Sequence, residues 1–451
     1  MFRYCVVFLF CYQSLFAYLD PSTGSLLLSS LVALFASIIF FIKSIYYKLL
    51  NFLSIKKISK NDIEKCGLIF YSEGGQYYGV FAPILDVLDE WGYPYLFLTS
   101  DKEDPAMLRE QGQKVRFIGE KNRAYAHLNT LDTDLLVMTT PGLDVLQIKK
   151  TKRIKHYSHI VHSLRSPNYR VFGLDYYDSV LINSQIQEDF IREIESKRQI
   201  VHKDIINVGS TYCDFLYKLK EEMLKENKIT FFPNRCDKKV VLLSPSWGKE
   251  GILSKYGMKI ITPILKAGFL LIIRPHPQSL IVEKDIVQKL QEQTIDNSQV
   301  VWDIGTPNVY AMHESDVMIS DFSGVIFDYL CLYEKPILTL DFSFCHFEYD
   351  SLDVEVLWEL SVLDRIGGRV SLDNIHNISN LITQALENRT EKEEICKIKT
   401  LLWSYPHQSG RRAASALLQI RKNILEDSLS DIKEIYQNLL KTQEILRSHK
   451  C

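Results

Sequence analysis

From residue 66 onward, short apolar runs alternate with longer stretches in which apolar residues recur every three or four positions. This alternation is typical of a parallel sheet covered by helices. The first apolar run is followed by a helix predicted over 77–92. The first series of strands is predicted at 66–72, 93–100, 114–119, 134–140, 156–162, 178–184 and 204–209.

A polar stretch at 227–239 interrupts the alternation and is predicted to be a linker. A second series of strands follows it at 240–246, 269–276, 300–303, 316–320 and 336–340. The pattern therefore predicts an α/β fold of two doubly wound, Rossmann-like domains, with a cleft between them. The predicted boundaries are 61–235 for the first domain, 236–400 for the second and 401–451 for the C-terminal helices.

The first sixty residues have a different pattern. Residues 5–19 are apolar, and residues 25–42 contain no charge. Either a cleaved signal peptide precedes a membrane span or the two segments form a hairpin of spans, with a buried core helix as the remaining alternative. Lysines follow the second segment, so the domains are expected on the cytoplasmic side of the cell inner membrane, with residues 1–60 as anchor. These lysines are Lys43, Lys48, Lys56, Lys57, Lys60 and Lys65.

At the other end of the chain, apolar residues recur near heptad spacing over 425–446. A helix packed back on the fold is expected, because fewer than four heptads make a short coiled coil. Association of two copies through this helix is the alternative.

Composition narrows the class of protein. The formal net charge is −2, which argues against a nucleic-acid binder. Nine cysteines occur without a CxxC pair, so neither a disulfide framework nor a zinc site is indicated. Charge is uneven, however, since five of the seven residues at 149–155 are Lys or Arg.

The sequence ISDFSGVIFDYLCLYEKPILTLD, at 319–341, predicts a strand, a tight turn, a helix and a second strand. The N–H groups at a helix start lack partners within the helix, and the helix dipole makes that end positive. A small residue such as Gly324 lets a ligand approach these groups. The alternative is an ordinary N-cap, in which Asp321 or Ser323 only bonds its own helix.

A second motif, RPHP at 274–277, leaves another predicted strand. Arg274 offers a planar fork suited to phosphate oxygens, and His276 exchanges protons near neutral pH. Ligands in doubly wound sheets bind beyond the carboxyl ends of strands. An Arg, a His and a helix N-terminus at neighbouring strand ends predict a diphosphate site.

The sequences LLSPSWG (242–248), IIRPHP (272–277) and SDVMISDFSGVIFDYLCLYEKPIL (315–338) resemble the CDP-glycerol glycerophosphotransferase family of teichoic acid polymerases. The resemblance covers roughly residues 150–415. It implies two Rossmann domains of the GT-B type, a nucleotide-activated alcohol phosphate as donor, and no metal or other cofactor. It also implies a histidine base in the first domain.

That base falls on His162, although Val161-His162-Ser163-Leu164 stands where the family has Trp-His-Gly-Thr, and His156 and His159 lie nearby. The family's Thr-Trp-Arg is replaced by Ser246-Trp247-Gly248, which leaves the donor's identity open. The expected site residues fall into three groups. They are His162 and His276 for catalysis; Arg274, Ser246, Trp247, Ser320, Asp321, Ser323 and Gly324 for the donor; and Gly74 and Gly75 for the acceptor.

The function expected from this resemblance is transfer of a polyol phosphate from a CDP-activated donor to a lipid-linked or glycan acceptor of a cell-surface polymer. The membrane anchor and the basic stretch 149–155 are expected to bring the cleft to an anionic membrane surface. Three alternatives remain: a nucleotide-sugar glycosyltransferase, a UDP-N-acetylhexosamine 2-epimerase, and a membrane-tethered nucleotide-binding protein without catalysis.

Overall fold

The computed structural model describes residues 66–109, 114–167, 172–226, 230–341, 354 and 357–448, with isolated helical positions at 32, 34, 35, 37 and 38. The chain divides into two compact units, Met1–Ile58 and Ser59–Cys451. The second unit contains both sheets described below.

The N-terminal sheet has seven parallel strands in the order β3-β2-β1-β4-β5-β6-β7. Its central strands are buried along their length, because helices cover both faces of the sheet, and they consist largely of apolar residues. The strands are β1 Leu68–Ser72, β2 Leu96–Thr99, β3 Val115–Phe117, β4 Thr133–Met138, β5 Ile154–Ile160, β6 Ser179–Ile182 and β7 Asp204–Asn207.

The C-terminal sheet has six parallel strands in the order β10-β9-β8-β11-β12-β13. They are β8 Val240–Leu243, β9 Leu270–Ile273, β10 Val300–Trp302, β11 Val317–Ser320, β12 Ile337–Leu340 and β13 Arg369–Val370. The predicted fold of two parallel-sheet α/β domains is confirmed. Only β13 was not predicted, because it has two residues and no apolar run to mark it. Gly367 precedes β13, and a Cβ there would clash with the Ile337 carbonyl oxygen, so a glycine is needed where this strand joins the sheet.

Helices connect the strands and cover the sheets. In chain order they are α1 Tyr78–Glu90, α2 Asn122–Leu128, α3 Gln185–Arg198, α4 Thr211–Glu226, α5 Ile252–Lys255, α6 Met258–Lys266, α7 Ser279–Val282, α8 Lys284–Thr294, α9 Asn308–Glu314, α10 Val325–Tyr333, α11 Trp358–Ser361, α12 Ile378–Glu387, α13 Arg389–Leu402 and α14 Ser409–Ser448. The predicted domain boundary at residue 400 falls inside α13.

The long C-terminal helix α14 starts against the N-terminal domain. Gly410 permits this approach, since a Cβ there would clash with the Pro83 carbonyl oxygen in α1. Ala413, Ala414 and Leu417 are fully buried in the core of that domain. Beyond them the helix exposes a row of apolar side chains, namely Leu425, Leu429, Ile432, Ile435, Tyr436, Leu439 and Leu440. Self-association through this row stays a prediction.

The apolar segments predicted at 5–19 and 25–42 lie outside the described residues, apart from the isolated helical positions given above. Within the part of the chain that the structure describes, no helix combines the length and apolar character needed to cross a membrane. The anchor predicted for residues 1–60 therefore stays a prediction.

Candidate functional site

Three loops of the C-terminal domain meet at one edge of its sheet. Strands β9, β8 and β11 are direct neighbours, so the loops that leave their carboxyl ends lie side by side. These loops contain Arg274–Pro277, Ser244–Gly248 and Asp321–Gly324. The structure thus brings together the RPHP, SPSWG and SDFSG motifs.

The buried side chain of Asp321 connects two of these loops. Its carboxylate is 1% exposed and accepts backbone hydrogen bonds from Ser246 (2.9 Å), Ser323 (3.1 Å) and Ile252 (3.3 Å). Burial raises the pKa of this carboxyl, and the three N–H donors oppose that shift. The Asp321 carboxylate therefore holds these loops together, with its acceptor contacts made inside the protein.

Two neighbours of Asp321 also differ from their expected roles. Ser320 is fully buried, and its hydroxyl donates a 2.6 Å hydrogen bond to the Ser244 carbonyl. The Ser323 N–H, expected at the diphosphate, is already bound to Asp321. At the start of α10, the N–H groups of Gly324 and Val325 have no acceptor among the described residues.

Arg274 is held in place by a buried carboxylate. Its Nη1 donates to Asp303 Oδ2, and the Asp303 side chain is 1% exposed. Asp303 is fixed in turn by the Thr306 hydroxyl, which donates to its other oxygen at 2.6 Å. One donor of the Arg274 guanidinium is therefore bound within the protein, and no other hydrogen bond from this guanidinium is found among the described residues.

His276 lies beside Trp247, with ring centroids 6.4 Å apart. Its Nδ1 accepts a 3.1 Å hydrogen bond from the Gln278 N–H, which places the proton of the neutral ring on Nε2. Burial, helped by the positive charge of Arg165, lowers the pKa of His276 to about 4. Trp247 is 40% exposed and offers an aromatic face beside the loop.

The N-terminal domain contributes His162, two residues past the end of β5. The rings of Tyr77 and His162 meet edge to face, with centroids 5.2 Å apart. Burial and the nearby Arg165 charge lower the pKa of His162 to about 4, so its imidazole is neutral at pH 7. A neutral imidazole in this position can accept a proton.

The loop after His162 is anchored on both sides. Within its own domain, the buried Gln187 amide donates 2.8 Å hydrogen bonds to the carbonyls of Ser163 and Arg165. Toward the C-terminal domain, Leu164 is buried in the same core as Ile326 and Phe327. This loop therefore connects the two halves of the cleft.

A further bond across the cleft comes from Ser166. Its hydroxyl donates a 2.7 Å hydrogen bond to Glu359 in α11, and Glu359 is 3% exposed. Since Leu164 and Ser166 both reach the C-terminal domain, His162 is fixed relative to the SDFSG loop.

The other histidines of β5 have structural partners. His156 Nε2 lies 2.8 Å from the Ser179 hydroxyl on the adjacent strand. His159 is fully buried, with its ring 5.0 Å from that of Tyr177. Burial lowers the pKa of His159 well below its ordinary value. The choice among the three histidines therefore favours His162.

Gly74 and Gly75, expected to bind the acceptor, form a tight turn after β1. The Gly75 N–H donates to Asp101 at 3.1 Å, and a Cβ at Gly75 would lie 2.9 Å from Pro105. Close packing thus accounts for Gly75. Glu73, just before the turn, is half-buried, and burial raises its pKa.

The basic stretch 149–155 lies on the N-terminal domain and is partly neutralised by carboxylates. Lys150 pairs with Asp178 at 2.6 Å, and Lys155 pairs with Asp134 at 3.0 Å. Elsewhere, no group of three or more His, Cys, Asp or Glu among the described residues is arranged to hold a metal ion.

Several residues that shape the cleft carry no sequence signal of their own. Gln187, Asp303 and Glu359 look like ordinary polar residues, because their partners are distant in sequence. Arg165 follows His162 by three residues, and this proximity is the only feature of the sequence that points to it.

The sequence profile of a family described as CDP-Glycerol:Poly(glycerophosphate) glycerophosphotransferase matches residues 122–356, just over half of the chain. No curated protein matches the chain.

Solved structures share the fold. A variant of the wall teichoic acid polymerase TagF soaked with CDPG is 16% identical, with a TM-score of 0.56 over 87% of this chain and 99% of that chain. Another TagF structure is 16% identical, with a TM-score of 0.55 over 88% and 98%. The UDP-GlcNAc 2-epimerase of Methanocaldococcus jannaschii, in complex with UDP-GlcNAc and UDP, is 14% identical, with a TM-score of 0.53 over 78% and 99%.

At such identities the structural matches establish a two-domain fold of the GT-B type, whereas the profile match extends through all three motifs of the cleft. The chain therefore belongs to the CDP-glycerol:poly(glycerophosphate) glycerophosphotransferase family.

Proposed function

We propose that the cleft binds a CDP-activated polyol through its diphosphate and transfers the polyol phosphate to an acceptor hydroxyl positioned by His162. The observation that carries this proposal is the meeting of His162, from one domain, with the RPHP and SDFSG loops of the other. A base and an anion site on opposite walls suit an in-line attack on phosphorus.

In this proposal the diphosphate lies over the start of α10. The N–H groups of Gly324 and Val325 are the donors there, and the helix dipole favours an anion at that end. Arg274, held by Asp303, adds a fixed positive charge. His276 adds an Nε2–H donor, and a bound anion would raise its pKa because opposite charge favours the protonated form.

Trp247 is proposed to contact the cytidine. It is exposed beside His276, and an aromatic face of this kind can pack against a nucleobase. Ser246 supports this contact through its backbone, because Asp321 fixes its N–H.

The chemical step forms one bond and breaks another. The acceptor hydroxyl oxygen attacks the β-phosphorus of the donor, and its proton passes to His162. The bond between the β-phosphorus and the bridging oxygen breaks, so CMP leaves and the polyol remains in a new phosphodiester. A positioned base contributes about 10²–10⁴-fold to such a step. The protein's own cations and N–H donors balance the charge, and we propose no metal or other cofactor.

The acceptor is proposed to be a glycan or a lipid-linked chain that enters past Tyr77 and Glu73. Tyr77 packs on His162, which makes this wall the approach to the base. Residues 1–60 would anchor the enzyme at the cytoplasmic face of the cell inner membrane. The cations at 149–155 that pair with no carboxylate among the described residues would add attraction to an anionic surface.

The test is to offer the full chain, in isolated membranes, a panel of CDP-glycerol, CDP-ribitol and UDP-sugars, and to measure nucleotide release. Acceptor-dependent release of CMP from a CDP-polyol is the expected result. Release of UDP from a UDP-sugar would make the protein a glycosyltransferase. Conversion of UDP-N-acetylhexosamine without nucleotide release would make it an epimerase.

A further inference from the structure

Arg165 reaches from the His162 loop to the start of α10. A Cβ added at Gly324 would lie 3.2 Å from Arg165 Nε and 3.4 Å from Arg165 Cδ. The side chain therefore packs directly against the Gly324 backbone, although it belongs to the opposite domain. Gly324 has φ −61°, which any residue can adopt, so contact with Arg165 explains the glycine better than conformation does.

The guanidinium of Arg165 has no hydrogen-bond acceptor within the described part of the chain. Its Nε is buried and without a partner, and no ion pair joins it to a described carboxylate. A buried N–H donor without an acceptor is costly. Its loop is nevertheless held firmly, because Gln187 bonds the Arg165 carbonyl and the Ser163 hydroxyl accepts from the Arg165 N–H at 3.2 Å.

The charge of Arg165 reaches the main groups of the cleft. It contributes to lowering the pKa of His162 and of His276, and it counteracts the burial that raises the pKa of Asp328 to about 7. Arg165 thus lies among both histidines and the SDFSG loop. Asp328 is the nearby carboxyl, but no hydrogen bond joins it to Arg165.

We infer that Arg165 binds the non-bridging oxygens of the β-phosphate, the phosphoryl group that is transferred, and so joins the acceptor domain to the donor. This inference rests on the proposed function. Arg165 shares a loop with His162, so it belongs beside the phosphorus that the acceptor attacks. Arg274 and His276 lie in the other domain, and in this assignment they bind the α-phosphate of the departing CMP.

The assignment predicts a selective loss of affinity. CDP carries the β-phosphate and CMP does not, so the Arg165 contact should affect the two nucleotides differently. A hydrogen bond to a charged group is worth about tenfold to a hundredfold in affinity. Lysine retains the charge but lacks the planar fork of arginine, so it should restore only part of the effect.

The experiment is isothermal titration calorimetry of the full chain with CDP and, separately, with CMP. For Arg165→Ala, CDP binding should weaken at least tenfold while CMP binding stays within about twofold. Arg165→Lys should fall in between. Arg153→Ala, an exposed arginine of the same domain, is the matched control and should change neither affinity.

A second variant covers the case in which Arg165→Ala does not fold. Gly324→Ala adds a methyl 3.2 Å from Arg165 Nε, which should displace the guanidinium and again weaken CDP more than CMP. Equal weakening of CDP and CMP, or unchanged CDP affinity, would overturn the Arg165 assignment while leaving the proposed function intact. A wild-type chain that binds neither CDP nor CMP would overturn both the Arg165 assignment and the proposed function.

Discussion

Gln187 donates a 2.8 Å hydrogen bond to the carbonyl of Ser163, the residue directly after His162. The same amide donates to the Arg165 carbonyl at 2.8 Å, and Gln187 itself is fully buried. Gln187 in α3, together with the Asn183 amide that donates to the Ser163 carbonyl at 2.8 Å, therefore holds the backbone of the loop that carries His162, the proposed base, and Arg165. The Gln187 Oε1 accepts from the Asn183 N–H at 2.8 Å, which sets the direction of the amide.

Replacing Gln187 by Ala should impair turnover more than stability. The Arg165 carbonyl loses its donor, and the Ser163 carbonyl keeps only the Asn183 amide, which donates to it at 2.8 Å. A small displacement of His162 can cost about 10²-fold in rate. We expect kcat to fall by about tenfold or more and CDP binding to weaken, with CMP binding unchanged. Gln185→Ala, an exposed residue of the same helix, is the control. Parallel loss of CMP binding would show that Gln187 acts on the whole fold.

Asp321→Asn should destabilise the C-terminal domain. The carboxylate accepts three backbone N–H groups, and the asparagine NH2 would face one of these donors without an acceptor. The expected loss in free energy of unfolding is about 1–3 kcal/mol, measured by urea denaturation, together with weaker binding of CMP. Asp296→Asn is exposed and should change the free energy of unfolding by less than about 0.5 kcal/mol. An effect no larger than this control would remove Asp321 from its orienting role.

The pH dependence of kcat/KM should reflect the lowered pKa values of His162 and His276, both about 4. Activity should persist below the ordinary histidine pKa of about 6.5 and fall as the pH drops through about 4, where the base becomes protonated. The unfolded chain binds these protons at higher pH than the folded chain. Stability should therefore be full above about pH 6.5 and decline towards pH 4. An acid limb centred near 6.5 would contradict the buried setting of His162.

The series of strands could be predicted because buried parallel strands are continuous apolar runs, as in Leu68–Ser72 and Leu270–Ile273. The RPHP and SDFSG loops were also predictable, since both stand at the ends of such runs. The hydrogen bond between Asp321 and Ser246 could not be predicted from the sequence, because the two residues are 75 positions apart. The contact of Arg165 with Gly324 depends on how two domains pack, and no local pattern encodes it.

The membrane proposal predicts different behaviour on two acceptors. Deleting residues 1–60 or neutralising Lys149, Lys150, Lys152, Arg153 and Lys155 should spare transfer to a short soluble acceptor. Transfer to an acceptor in anionic vesicles should fall, and more so at high salt, because salt screens the surface charge. Lys150 and Lys155 already have carboxylate partners, so the deletion should have the larger effect. Equal loss on both acceptors would mean that these segments support the fold.

The role of His162 as the base is tested by measuring CMP release from CDP-glycerol, with acceptor present, for the wild-type chain, His162→Ala and His156→Ala. His156 is bonded to Ser179 on the neighbouring strand and serves as the control. We expect His162→Ala to bind CDP normally and to lose at least about 10²-fold in turnover, while His156→Ala stays near wild type. Near-normal turnover by folded His162→Ala would contradict the assignment of His162 as the base.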